Sequence, residues 1–316
     1  MEETMTMPAA LDRLVLAAVT AGTVLLLAAP AASAQDVSGA IRYAAGIAKD
    51  LEYPSKPSGF GLFSGPEMAL YRPEGPGPFP AVVLLHQCGG LRSENGKWQN
   101  MSVFGWAKEA VARGYVALVV DSLDSRGVDS VCMQSKGGVN YPRGVRDVLQ
   151  AAAHLRKLPY VDKSRVALVG YSWGATVSTL ASARAWAAAL GDGQRFEAVV
   201  VFYPECGMAR PAAGAPYEVL RADIDRPLLV LLGGKDVETP PDECKKRLAP
   251  LKAAGAPVEW HEYAGATHCW DCQNLDGFRK TDFRGTSVEY RFDEAATKDA
   301  GERMFSFFEK AFAGRK

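Results

Sequence analysis

The sequence predicts an α/β domain, a mostly parallel sheet with helices packed on both faces. Three observations lead there. Several short runs are apolar almost without break, AVVLL, YVALVV, RVALVG, AVVVFY and LLVLL among them, which is the pattern of strands buried on both faces. Between them lie longer stretches whose apolar residues recur with a helical period. No repeat, charge block or linker divides residues 36–316, so the alternation of strand and helix describes one domain.

The strands are expected at 68–71, 81–86, 115–120, 165–170, 198–203, 227–232 and 258–263, each a β-rich run bounded by turn residues. Helices are expected near 103–113, 141–157, 174–190 and 241–254. A last one, at 295–312, carries Ala300, Met304, Phe307, Phe308 and Ala311 on one face.

Residues 1–34 read differently. Arg13 precedes LVLAAVTAGTVLLLAA at 14–29, sixteen residues without a charge, and Ala-Ala-Ser-Ala follows at 31–34. A basic residue, a short apolar core and small residues before a cleavage point describe a secretory signal peptide. An uncleaved anchor or buried helix is the competing reading, but the apolar run falls short of the roughly 20 residues of a bilayer span. The expected product is therefore 35–316, secreted or periplasmic and without stable membrane insertion. Removing 1–34 takes away Arg13, Glu2, Glu3 and Asp12, which leaves 35 basic and 33 acidic side chains, a net charge of +2. Neither that value nor the zero charge of the whole chain provides the basic footprint a nucleic-acid binder needs. All six cysteines lie in the exported part, an even number that suggests disulfides.

The chemistry centres on Gly170-Tyr171-Ser172-Trp173-Gly174. G-x-S-x-G after a strand and before a helix is a nucleophile elbow: the glycines permit a sharp turn that lifts the serine above the sheet edge. The bland alternative is a serine serving as a helix N-cap. A serine hydroxyl needs a base, and the base an orienting acid. In α/β-hydrolases they follow in the order serine, acid, histidine. Only His261 and His268 follow Ser172. His261 lies within the strand VEWHEY and reads as a strand-face residue; His268 lies just beyond it, at the strand's carboxyl end, where catalytic groups gather in open α/β sheets. Asp236 follows LLVLLGGK at another such end and is the expected acid, with Glu238 and Asp242 as fallbacks. His154 falls in a helical stretch and reads as structural. His86-Gln87-Cys88-Gly89-Gly90-Leu91 opens a glycine loop where these enzymes place an oxyanion donor. The backbone amides of Trp173 and Cys88, or of Gln87 as the alternative to Cys88, are the expected oxyanion hole.

Together, the His86–Leu91 loop, Gly-Tyr-Ser172-Trp-Gly, Gly-Gly-Lys-Asp236 and Ala-Thr-His268 resemble the dienelactone hydrolase family of α/β-hydrolases. The likeness runs over about residues 60–312. It implies an eight-stranded sheet, no large lid domain, no cofactor and no metal. It also implies a small-molecule ester or lactone as substrate, hydrolysed through an acyl-enzyme; an acyltransferase or small peptidase on the same triad, or a non-catalytic secreted binding protein, is the alternative. A monomer or weak dimer is expected. Two departures point to an ordinary serine esterase: Ser172 stands where the archetype has a cysteine, and Gln87 where it has a glutamate. Of two substrate-binding arginines in the archetype, Arg126 matches one loosely and Cys272 occupies the other position. Tyr203 and Trp270, with Arg126, are the candidate pocket residues. The strand order implied by the resemblance makes Cys88–Cys132 and Cys206–Cys244 bridges and leaves Cys269–Cys272. That last pair is a C-x-x-C, read as a loop disulfide at the site's mouth, with redox exchange as the alternative.

Overall fold

The computed structural model describes Met1 and residues 38–61, 64–93, 98–211, 215–282 and 284–314. The expected signal peptide lies outside the described residues. Residues 36–316 form one compact unit.

The apolar runs become the strands β1 (Ala69–Tyr71), β2 (Phe79–Leu85), β3 (Val116–Val120), β4 (Val161–Tyr171), β5 (Ala198–Phe202), β6 (Leu228–Gly233) and β7 (Val258–Tyr263). They pair in the order β1-β3-β2-β4-β5-β6-β7. β1 runs antiparallel to β3, and all other neighbours are parallel. Successive side chains leave a strand on opposite faces. Val83 and Leu85 of β2 accordingly enter one core and Val82 and Leu84 the other.

The helices are α1 (Ser38–Ala45), α2 (Met101–Ala112), α3 (Tyr141–Leu155), α4 (Trp173–Ser182), α5 (Arg184–Leu190), α6 (Pro241–Ala253) and α7 (Glu294–Ala313). Apolar side chains of α1, α3, α4, α5 and α6 fill the first core, and those of α2 and α7 the second. Both faces of the sheet are covered, as continuous apolar strands require.

The sheet differs from the expectation in one strand: among the described residues it has seven strands, not eight. The described part of 49–68 forms no strand. Pro54, Pro57 and Pro66 lie there, and proline removes a ladder donor; Ser58 N–H to Leu70 O, at 2.7 Å, is a backbone bond this stretch makes to β1. The helix expected over 174–190 is interrupted at Ala183, which is extended. Asp223 supplies the reason: its carbonyl accepts from Arg184 N–H at 3.0 Å and its carboxylate from Ala185 N–H at 2.8 Å, starting a new helix there.

Three disulfides join Cys88 to Cys132, Cys206 to Cys244 and Cys269 to Cys272, the pairs that the resemblance implied. The first ties the loop after β2 to the segment before α3, and the second ties the loop after β5 to α6. Two antiparallel ribbons, Met208–Ala209 with Tyr217–Glu218 and Arg279–Thr281 with Ser287–Glu289, decorate the fold. No large lid stands among the described residues, and no helix among them is long and apolar enough to cross a membrane.

Candidate active site

Ser172 sits between β4 and α4 with φ 52°, a conformation a side chain rarely adopts. The flanking glycines permit it. A Cβ on Gly170 would collide with the Gly174 carbonyl, and one on Gly174 would lie 2.5 Å from the carbonyl oxygens of Leu85 and His86. The elbow is thus pressed against the end of β2. Gly174→Ala is expected to cost about 1–3 kcal/mol through overpacking, measurable as a lower urea midpoint; an unchanged midpoint would show that the β2 end yields freely.

Ser172, Asp236 and His268, the expected triad, span 96 residues of the chain, and the fold brings them together. His268 Nε2 lies 3.0 Å from Ser172 Oγ, and its Nδ1 lies 2.7 Å from Asp236 Oδ2. A carboxylate only accepts, so the neutral ring carries its proton on Nδ1 and offers Nε2 as an acceptor to the serine hydroxyl. Asp236 is itself fixed: Oδ1 accepts from the N–H groups of Glu238 (2.9 Å) and Thr239 (2.8 Å), and Oδ2 accepts from Thr239 Oγ1 at 2.8 Å. His268 is 2% exposed and Ser172 9%. Burial alone pulls the imidazole down, but the nearby Asp236 and Glu238 carboxylates more than reverse this, and His268 stands above its ordinary value of 6.5.

Four residues other than glycine among the described ones have positive φ, and three of them, Ser172, Tyr203 and Cys269, surround the imidazole. Such concentration of backbone strain is characteristic of functional sites. The Tyr203 ring packs 4.6 Å from His268, and the Tyr290 ring 5.7 Å from it on a different contact.

The glycine loop is anchored by His86, which is fully buried and stacks on Trp173 at 5.8 Å. His86 Nε2 accepts from the backbone N–H of Ser122 at 3.0 Å, so its proton sits on Nδ1, 2.6 Å from the Gln87 carbonyl. The Cys88 carbonyl is taken by Val131 N–H at 2.9 Å. Trp173, as the first residue of α4, has no intrahelical acceptor for its own N–H. The Gln87 side chain turns inward: its Oε1 accepts from Asn100 Nδ2, and its Nε2 faces Tyr203 Oη (3.3 Å) and the two sulfurs of Cys269 and Cys272 (3.7 and 3.6 Å).

The three candidate pocket residues are corrected. The Arg126 guanidinium is sealed, 2% exposed, against Asp147 at 2.7 Å and the carbonyls of Lys49 and Ser122, which leaves it no free donor for a substrate. Trp270 and Tyr203 are fully buried. Trp270 packs among Phe202, Tyr203 and Tyr263, while Tyr203 donates to Asp271 Oδ1 at 2.7 Å. Tyr203 packs directly on His268, and Trp270 packs on Tyr203. Of the fallback acids, Asp242 is exposed beside Lys245, and Glu238 reaches the imidazole on its other edge, 3.7 Å from Nε2. His154 bonds the Pro54 carbonyl and His261 faces Asp299, neither of them at the triad.

Several residues escaped sequence reasoning. Thr239 could have been found, because an aspartate commonly bonds the backbone two or three residues on. Asp271, Asn100, Lys280 and Tyr290 carried no local signal. Asp271 is buried, which raises its carboxyl above the ordinary range, although Trp106 Nε1 (2.8 Å) and Tyr203 both donate to it. Cys269, Asp271 and Cys272 also bring potential metal-ligand atoms within 4.8 Å of one another, but the two sulfurs are spent on each other in the disulfide and present no thiolate.

The family model of the dienelactone hydrolase family matches residues 67–312. The chain belongs to the dienelactone hydrolase family. Among individual relatives, "Esterase FrsA" of Klebsiella pneumoniae is 30% identical over 109 residues, 34% of this chain and 23% of that protein. "Putative carboxymethylenebutenolidase" of Salmonella typhimurium is 24% identical over 156 residues, 49% of each chain. The match therefore spans about half or less of these two curated relatives. In fold, the thermophilic esterase Est2 of Thermogutta terrifontis is similar with a TM-score of 0.56 at 16% identity, covering 77% of this chain and 86% of that one. Family membership thus agrees with the sheet order, the elbow and the absence of a large lid among the described residues.

Proposed function

We propose that this family member is a serine esterase acting on a small neutral carboxylic ester or lactone. The observation that carries the reading is the continuous hydrogen-bonded chain Ser172 Oγ–His268–Asp236, at 3.0 and 2.7 Å. His268 Nε2 takes the hydroxyl proton as Ser172 Oγ attacks the acyl carbonyl, and Asp236 stabilises the imidazolium that forms. The amides of Trp173 and Cys88, with Gln87 the alternative second donor, receive the oxyanion; losing one such donor costs about 3–4 kcal/mol of transition-state stabilisation. His268 then protonates the leaving alcohol. Water, activated by the same nitrogen, releases the acid and regenerates the serine.

Two features favour a neutral substrate over an anionic one. Arg126 is committed to Asp147, and Cys272, at the second arginine position, is in a disulfide. Glu238 meanwhile brings a carboxylate to the imidazole. Export is part of the proposal: residues 1–34 are read as its signal peptide, and three disulfides favour an oxidising compartment.

The test is direct. Purified protein is expected to release p-nitrophenol from p-nitrophenyl acetate and to be labelled one-to-one by a fluorophosphonate. Failure of both overturns the proposal and leaves the non-catalytic binding protein. Faster turnover of a peptide, or faster transfer to an alcohol than to water, would redirect it to a peptidase or an acyltransferase.

A further inference from the structure

Asp236 is not the only carboxylate on the imidazole. Glu238 Oε2 lies 3.7 Å from His268 Nε2, the nitrogen that faces Ser172 Oγ at 3.0 Å. Its side chain is 15% exposed and held on several sides. Lys280 Nζ bonds Oε1 at 2.7 Å, and Tyr290 Oη donates to Oε2 at 3.1 Å. Its own N–H is fixed to Asp236 Oδ1, and its carbonyl accepts from Arg284 Nη2. Lys280 comes from the ribbon Arg279–Thr281/Ser287–Glu289, and Tyr290 follows directly after it. The ribbon thus delivers both groups that hold the Glu238 carboxylate.

This position has a chemical consequence. When Ser172 attacks, the proton arrives on Nε2, the edge opposite Asp236. A fixed anion 3.7 Å from that edge stabilises the imidazolium where its new charge appears. We propose that Glu238 is a second positioning carboxylate for His268, acting on the Nε2 edge as Asp236 acts on the Nδ1 edge, with Lys280 and Tyr290 holding it in place. The proposal rests on the reading of His268 as the general base.

The charged and titratable groups that face His268 are Asp236 and Glu238 from the loop after β6, Lys280 and Tyr290 from the ribbon segment, Tyr203 from the end of β5, and Asp271 from its own loop. The Glu238 carboxylate favours the protonated ring and Lys280 opposes it. The sign of each substitution follows. The base works only when neutral, so the acid limb of kcat/KM reports protonation of His268 in the free enzyme. Glu238→Gln removes an anion and is expected to move that limb to lower pH by about 0.5–1 unit, with a plateau kcat about tenfold lower and little change in KM. Lys280→Met removes a cation and is expected to move the limb to higher pH.

The experiment measures kcat/KM for p-nitrophenyl acetate, and separately the rate of fluorophosphonate labelling, from pH 5 to 9 for wild type and both variants. Opposite displacements of the limb support the proposal. A lower plateau with an unmoved limb in Glu238→Gln means a purely structural role and overturns it. If Glu238→Gln does not fold, Lys280→Met decides alone, and an unmoved limb there also overturns it. Should wild type itself show neither labelling nor turnover, the esterase reading has failed instead, which keeps the two failures apart.

Discussion

Replacing Ser172 by alanine is expected to lower kcat on p-nitrophenyl acetate by about 10⁴–10⁶-fold without unfolding the protein. The size follows from cooperation within the triad. His268 and Asp236 have no nucleophile to activate once Oγ is gone, so their contribution vanishes with it. What remains is whatever the oxyanion amides and binding supply alone. The fold tolerates the change for stated reasons. The Ser172 backbone bonds, N–H to Phe202 O and carbonyl from Thr176 N–H, both at 3.0 Å, need no side chain. The strain at φ 52° belongs to any residue with a Cβ and is already present. Two measurements decide it: kcat of the variant, and kcat of Ser172→Ala combined with His268→Ala. The double variant is expected to match the single one, because groups that act as a unit are strongly non-additive. Turnover in Ser172→Ala within tenfold of wild type would remove Ser172 from the nucleophile's role.

The parts of the site that could be read from the sequence are those whose signal is local. Most of the seven strands are legible because burial on both faces writes a continuous apolar run into them, while the edge strand VEWHEY, only partly buried, alternates apolar and polar residues instead. Ser172, Asp236 and His268 are legible because each lies within a few residues of the carboxyl end of a strand. The remainder depends on distant partners. Ala183 breaks a helix only because Asp223 returns to cap the next one. α1, eight residues long, is too short to stand on its own propensity; it is held by Arg143 and Asn140 bonding the carbonyls of Ala45 and Ala44. The sequence reads Tyr203 and Trp270 as pocket residues because an aromatic near a catalytic loop looks the same in sequence whether it lines a pocket or fills a core. The ribbon that carries Lys280 is only three residues per strand, below the length at which alternation can be recognised.

Arg126 shows the same limit at its greatest energetic consequence, because its partner Asp147 lies 21 residues away. Asp147 is fully buried. It accepts from Arg126 at 2.7 and 2.9 Å and from Arg143 at 2.8 and 2.9 Å. Its carbonyl accepts from Tyr53 Oη at 2.6 Å. The two guanidiniums are only 2% and 1% exposed. Asp147→Ala leaves both cations without their shared buried anion, and Asp50, half-exposed, reaches only Arg143 among them, at 2.9 Å. Removing one partner of a buried pair typically costs about 3–5 kcal/mol, a large part of the roughly 5–15 kcal/mol that holds a domain together. The expected result is a fall in melting temperature of about 10 °C and a matching drop in the urea midpoint. Asp147→Asn is expected to fall nearly as far, since the amide keeps one acceptor but turns an NH₂ group toward a guanidinium. An exposed pair such as Arg92–Asp124, broken by Asp124→Ala, serves as the control and is expected to leave the midpoint unchanged. The loss should also reach the catalytic edge. Arg126 Nη1 donates to the Ser122 carbonyl at 2.8 Å, Ser122 N–H donates to His86, and His86 stacks on Trp173 beside the nucleophile. A modest fall in kcat/KM at temperatures where Asp147→Ala is still folded is therefore expected. An unchanged midpoint in Asp147→Ala would mean that water or a shifted Asp50 replaces the lost carboxylate, and would refute the view that this ion cluster is what fixes α1 and the Ser122–Arg126 segment to the core.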